Sequence, residues 1–421
     1  MYDVKSPKVR SQFEAMMKLE KVREVLDFIK SDERHSIDEL KELVLVEAPT
    51  HHEEKRAAVF AQKLKDLGLE DVHTGRGGCV IGLRRGSGNG PKVVIEGHLD
   101  TVFPFGSVKG VEERDGFLYA PGVGDDTRAL AMLLSLLRGL NAANVKTTGD
   151  VYFVGTTREE GTGALGGMKD FLDEHPEIDI SLSVDSNDMS RIIYEATLCQ
   201  TWEFTFRGQG GHAWSAFGTV AQPVHAAARA VAKIAALEVP SSPKTTFAVS
   251  NFHAGNISGV HAIASEASFI INFRSNGAEE FAAVKKAVFD AVESSAREES
   301  QKWGKNEIEV SSRILCDVPG GSQDAHSPLV ETAWLSLSAL EANPWLEEGG
   351  STNANIAISK GIPALCMGRA WAPDENSKRV HNHSLDEKLH IVNAHKAVQH
   401  LALVLLMAAG IDGEFGSIVT K

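Results

Sequence analysis

Histidines and carboxylates in this sequence stand directly behind short runs of β-branched and other apolar residues. His98 and Asp100 follow the run 92–96, Glu159 and Glu160 follow 151–156, and Asp185 follows 180–184. Asp125 and Asp126 close a glycine-rich turn that begins at Gly122, just ahead of an apolar helical pattern. Ligand sites in open α/β sheets collect beyond the carboxyl ends of the strands, so four separate loops would deliver acids or imidazole to one edge. Carboxylates mixed with imidazole suit zinc, manganese or cobalt, and a carboxylate can bridge two such ions roughly 3.5–4 Å apart. Two adjacent glutamates then divide the labour. With Glu160 on a metal, Glu159 can face the bridging water and take its proton.

Singly, these features mean little. A Glu-Glu pair in a loop is an ordinary solvated surface, a lone histidine is ordinarily a hydrogen-bonded structural residue, and Asp-Asp before a helix is ordinarily an N-cap favoured by the helix dipole. For Asp126 the capping reading stands. It is the joint arrangement that points to metal-assisted hydrolysis.

The elements that must position these residues follow from periodicity. Helical spacing runs over 13–30, a second helix is expected from a capping box at Ser36 to Glu39 and ends at Pro49, and a third covers 53–67. The strands 92–96, 151–156 and 180–184 alternate with helices 128–140 and 165–174, the signature of an α/β unit with buried parallel strands. Beyond about 197 the pattern changes. Trp202, Phe204 and Phe206 alternate, helices are expected over 220–237 and 278–293, and strands over 246–252, 267–273 and 308–310. That order, β-α-β-β-α-β, is the split arrangement of a ferredoxin-like domain. We expect an inserted α+β domain at 197–314 and a discontinuous catalytic domain of 1–196 and 315–421 around a central mixed sheet. Helices from Pro328 and Asn353, a strand at 362–367 and a closing helix at 386–409 that carries His390 complete it.

The chain has 421 residues, more than one core usually organises, and 43% of them are hydrophobic. A formal charge of −14 would repel phosphate backbones, and no basic block interleaved with aromatics relieves it, so nucleic acid is not an expected partner. No apolar run reaches membrane-spanning length, and the segment from Met1 through Arg10 to Glu14 lacks the features of a secretory signal. Cys79, Cys199, Cys316 and Cys366 show no paired spacing, so neither a disulfide framework nor a zinc ribbon is expected, and a cytoplasmic location fits.

Taken in order, Gly97-His98-Leu99-Asp100-Thr101-Val102, Pro121-Gly122-Val123-Gly124-Asp125-Asp126, Glu159-Glu160-Gly161, Ser183-Val184-Asp185 and His383-Ser384-Leu385-Asp386-Glu387 resemble the motifs of the M20 family of metallopeptidases, whose relatives include peptidase T, carboxypeptidases and aminoacylases. The resemblance spans nearly the whole chain. It implies that Asp125 bridges two divalent ions, that His98 and Asp185 complete one site and Glu160 and His383 the other, that Glu159 is the general base, and that Asp100 orients the His98 ring. His381 competes for the last ligand position, but Glu387 lies four residues beyond His383, as the family pattern expects. The inserted domain resembles the family's lid, which implies a homodimer, with His212 reaching a partner's active site to polarise the scissile carbonyl. Arg274 then falls where a substrate carboxylate is often held.

Departures from the pattern fall on substrate recognition. His261 and Ala264 replace an Asn and a Pro of the lid, Thr127-Arg128 replaces Lys-Gly, and Asn353 stands where Asp is common; His261 and Asn353 are candidate substrate contacts. The reading is hydrolysis of a C–N bond in a small carboxylate-bearing substrate, a peptide or N-acyl amino acid. The alternatives are an aminohydrolase releasing ammonia from an aromatic amine of the nitroanthranilate type, with Trp214, Phe217, His261 and Trp371 lining its pocket, and a non-catalytic binding protein.

Overall fold

The computed structural model describes residues 2–88, 90–303 and 307–419. The chain divides into two compact units, Met1–Ala196 with Ser322–Lys421, and Thr197–Gly321.

In the first unit, Val151–Thr156, Val93–His98, Ile180–Ser186 and Ala364–Gly368 are successive parallel neighbours at the centre of an eight-stranded sheet. Their continuous apolar runs fit strands covered on both faces. Val80–Arg84 and Glu70–Thr74 extend the sheet antiparallel on one side, and Arg191–Ile193 and Trp345–Glu347 extend it on the other, so the sheet is mixed. Parallel central strands end on one edge, and that edge carries the acids. The helix Thr127–Ala142 packs on Val93–His98 at Gly97, where a Cβ would come within 2.4 Å of the Ala129 Cβ. Only glycine permits that approach, which sets the start of the helix, with Asp125 and Asp126, beside His98.

Three expectations about this unit need correction. The 13–30 helix is two helices, Pro7–Met16 capped by Ser6 and Glu20–Ser31. Both bury an apolar face, so the spacing continues across the break at Met17–Leu19. The next helix starts at Glu33 rather than at a Ser36 capping box; Ser36 is buried inside it and its hydroxyl accepts from Arg128 Nη1 at 2.9 Å. The closing helix spans His395–Ala409 and does not reach back to 386. Lys388–His390 forms a strand against Phe117–Tyr119, which places His390 on a strand, its Nδ1 2.7 Å from the Trp371 carbonyl. Pairing between residues far apart in sequence overrides local helical preference there.

The second unit runs Leu198–Arg207, Pro223–Ala235, Thr245–Ala254, Glu266–Ser275, Ala278–Trp303 and Glu309–Val318, in the order β-α-β-β-α-β. Its sheet is antiparallel, with Glu266–Ser275 and Leu198–Arg207 in the middle. Phe204, Phe206, Phe269, Ile271 and Phe273 share one core with residues of both helices. The last strand, expected to end at 310, continues to Val318 because it pairs along residues 199–207, so residue 314 falls inside it.

Candidate metal centre

His98 ends its strand with 1% of its surface exposed. Its Nδ1 lies 2.9 Å from the Asp100 backbone carbonyl and its Nε2 lies 3.2 Å from Asp125 Oδ1 and 4.0 Å from Asp185 Oδ1. The first contact leaves Nε2 as the lone-pair nitrogen in the neutral ring, facing the acids, which is the form a metal ligand needs. Asp100 therefore orients the ring chiefly through its backbone, since its carboxylate stands 3.5 Å from Nδ1. That carboxylate accepts the Glu159 and Glu160 amides at 3.0 and 3.1 Å and the Thr50 hydroxyl at 2.9 Å. It pins the Glu-Glu turn.

The two oxygens of Asp125 face different partners. Oδ1 faces His98, whereas Oδ2 lies 3.4 Å from His383 Nε2, which in turn is 2.9 Å from Glu160 Oε1. This is the disposition a bridging carboxylate requires. Two groups of donor atoms could each hold an ion: His98, Asp125 and Glu160, and His98, Glu159 and Asp185. Glu160 thus approaches His98 as well as His383, and Glu159 borders the Asp185 side.

Asp126 sits at the N-cap position of Thr127–Ala142, but its side chain makes no capping bond. Its Oδ2 instead accepts the His98 amide at 3.0 Å, which corrects the capping reading. The Asp125-Asp126 peptide is cis.

Four further residues complete the arrangement, and sequence reading did not assign them a role here. The buried Arg369 donates Nη1 to Asp185 Oδ1 at 2.6 Å and Nη2 to Asn187 Oδ1 at 2.6 Å. Asn382 donates to Asp125 Oδ2 at 2.8 Å and to Asn187 Oδ1 at 3.1 Å. Glu387 accepts the Gly122, Gly124 and Asp125 amides at 3.0, 2.9 and 2.9 Å and so shapes the turn that presents Asp125. Arg369 follows the fourth central strand, so the strand-end rule used for His98, Glu159 and Asp185 could have found it. Asn187 follows Ile180–Ser186 and falls under the same rule, whereas Asn382 carries no such signal.

Residues 94–407 match Peptidase family M20/M25/M40. The chain belongs to this family. A succinyl-diaminopimelate desuccinylase from Bordetella bronchiseptica is 26% identical over 353 residues, covering 78% of this chain and 87% of its own. A tripeptidase structure from Staphylococcus aureus aligns with a TM-score of 0.74 at 23% identity, covering 88% of this chain and 97% of its own. A dinuclear metal binding peptidase of the M20 family from Bacillus subtilis aligns with a TM-score of 0.64 at 16% identity, covering 90% and 99%. This M20-family chain is a metal-dependent hydrolase, and the reading of it as a non-catalytic binding protein is set aside.

The electrostatics of the M20 site fit two divalent ions. Burial pushes the Asp126 and Glu159 carboxyls well above the ordinary range, with the charge of Asp185 adding to each. Burial and the charge of Asp125 push Asp185 up to about 7. At Asp125 burial is outweighed by Arg369, His383 and His98, which hold its carboxyl well below that range. Asp125 and Glu160 pull His383 up to about 10. Burial is the first cause of each raised carboxyl, with neighbouring acids adding to it and His98 opposing it. Acids crowded together out of water lack compensating charge, as groups do where function demands them. Divalent cations would supply the missing charge to this oxygen and nitrogen donor set.

The remaining expected residues divide. Asn353 is buried, and its Nδ2 donates to Glu96 Oε2 at 2.9 Å and to the Thr156 hydroxyl at 2.8 Å, so it braces two central strands. His381 pairs with Asp386 at 2.9 Å on the surface, leaving His383 as the histidine on Glu160. In the second unit His212 is exposed, and its Nδ1 accepts the Trp214 and Ser215 amides at 3.2 and 3.4 Å. In the neutral ring the proton is then on Nε2, which offers a donor to solvent. His261 lies alongside, its carbonyl accepting the Ala213 amide at 2.8 Å. Arg274 is exposed, with Nε 3.0 Å from Asn272 Oδ1.

Proposed function

We propose that this protein hydrolyses an amide C–N bond in a small carboxylate-bearing substrate, a short peptide or an N-acyl amino acid, with His98, Asp125, Glu160, Asp185 and His383 holding two divalent ions. The observation that carries the reading is Asp125, whose oxygens turn to two different partner sets, with Glu159 beside one of them. Zinc, manganese or cobalt bound there would polarise the substrate carbonyl and acidify the attacking water. Glu159 removes the water's proton and passes it to the departing amine nitrogen. Its burial raises its affinity for that proton, which suits a base that must later act as acid. Asp100 holds the Glu159 amide, so the carboxylate works from a fixed backbone.

His212 is the residue that donates from Nε2 to the carbonyl oxygen as negative charge develops, acting in a partner subunit of a homodimer formed through the inserted 197–321 unit. Arg274 holds the substrate carboxylate and His261 contributes to substrate selection. Among the described residues no helix is long and apolar enough to cross a membrane, and a cytoplasmic location is part of the proposal. The similar proteins named above are a desuccinylase and peptidases, which favours amide hydrolysis over release of ammonia from an aromatic amine.

The test is product release from the manganese- or zinc-loaded protein against dipeptides, tripeptides, N-succinyl and N-acyl amino acids, and aminobenzoates in one panel. A new amino group liberated from an amide substrate is the expected outcome. Ammonia from an aminobenzoate, with every amide intact, would overturn it.

A further inference from the structure

Asp125 presents a mechanical problem that its own side chain cannot solve. The torsion about the bond to a carboxylate carbon is broad and roughly two-fold, so nothing intrinsic keeps one oxygen toward His98 and the other toward His383. A bridging role needs both directions held at once.

Two donors other than histidine meet those oxygens. Arg369 Nη1 stands 3.5 Å from Oδ1, and Asn382 Nδ2 stands 2.8 Å from Oδ2. The two donors are joined behind the carboxylate by one acceptor, because Asn187 Oδ1 receives both Arg369 Nη2 at 2.6 Å and Asn382 Nδ2 at 3.1 Å. Arg369 also grips Asp185 Oδ1 at 2.6 Å, so the same guanidinium sets a carboxylate on the His98 side. A planar guanidinium with several donors in a fixed fork can do this, whereas a lysine ammonium carries no such geometry.

We propose that Arg369, Asn187 and Asn382 form a strap of positioning residues that fixes the rotation of the Asp125 carboxylate, directing one oxygen to each half of the metal centre. The proposal rests on the metal-centre reading above. It joins residues that follow two central strands, Ile180–Ser186 and Ala364–Gly368, to the loop that carries His383. Asn187 is the informative member, since it bonds the two outer members of the strap and is itself no ligand. Cutting it loosens Asp125 without removing a donor atom from the centre.

The test uses the full chain loaded with manganese, read by metal content after dialysis, by electron paramagnetic resonance and by circular dichroism. In the unaltered chain two ions per chain with an exchange-coupled spectrum are expected, since a bridging carboxylate couples the spins. Asn187→Ala and Asn382→Ala lose the coupled spectrum and bind the second ion at least tenfold more weakly while keeping their circular dichroism, and Asn187→Asp, which keeps the acceptor oxygen, restores both. A merely structural role would lower the melting temperature without moving the spectrum. Asn382 lies in a surface loop, so its variant serves if Asn187→Ala does not fold. Two coupled ions in folded alanine variants would overturn the strap alone. An unaltered chain that takes up no manganese or zinc would remove the metal-centre reading and the strap with it.

Discussion

The two regions that carry the candidate chemistry are built in opposite ways. In the first unit His98, Asp100, Asp125, Glu159 and Glu160 are all buried, and Asp100 alone accepts from Thr50, Glu159 and Glu160. In the second unit His212, His261 and Arg274 are exposed, and the bonds noted for each are to near neighbours in the same unit. Burying an ionisable group costs several kcal/mol unless it is paired, so each buried acid dictates its neighbours. An exposed side chain imposes no such demand. On the proposed reading, water activation rests on groups that are buried with fixed neighbours, the exposed His383 apart, while substrate choice rests on exposed ones.

That contrast can be broken in order of expected effect. Stripping the metal with a chelator should abolish turnover, with manganese or zinc restoring it; activity that survives in protein shown by elemental analysis to be metal-free would sink the two-ion reading. Glu159→Ala should lower kcat by about a hundred- to ten-thousand-fold, the range for general acid-base groups, with metal content unchanged. His212→Ala should cost about a hundred- to a thousand-fold in kcat, as loss of an oxyanion donor does, without changing metal content or melting temperature. If that variant loses metal instead, its place on the substrate side is wrong. Arg274→Ala should raise KM about tenfold with kcat nearly unchanged, the effect of losing about 1.4 kcal/mol of uniform binding.

A buried titrating group away from the centre sharpens the comparison. His400 is buried against the Ser336 hydroxyl at 2.9 Å, and burial drives its pKa down to about 3. The unfolded chain takes up this proton below its ordinary value while the folded chain refuses it, so the contribution to stability is full above about pH 6.5 and is lost as pH falls. His400→Gln should flatten the acid limb of a denaturation series by about 2 to 3 kcal/mol over the first two pH units below 6.5. An unchanged acid limb would show that this histidine is not what couples folding to pH.

His98, Glu159, Glu160 and Asp185 are legible because the strand-end rule needs only the strands, and short β-branched runs reveal those locally, whereas His383 follows only from the resemblance to the M20 family. Arg369 directly follows the fourth central strand and falls under the same rule. Asn353 also makes a contact that its local sequence does not announce. The buried Glu96 carboxylate takes a donor from it, and no local pattern announces a neighbour 257 residues away. The break at Met17–Leu19 and the strand Lys388–His390 escaped because periodicity records which face is apolar and not where the chain turns or what it pairs with.

By itself, then, the sequence determined the α/β order and the delivery of His98, Asp125, Glu159, Glu160 and Asp185 to one sheet edge, since these follow from residue type and short-range spacing, while His383 is implied by the resemblance to the M20 family. Only the tertiary structure decided which oxygen of Asp125 meets which partner, that Asp126 serves the His98 amide, and that Arg369, Asn187 and Asn382 close around the site. Those contacts join segments brought together by the packing of strands and helices, and hydrogen-bond geometry at a few ångströms exists only once that packing is complete.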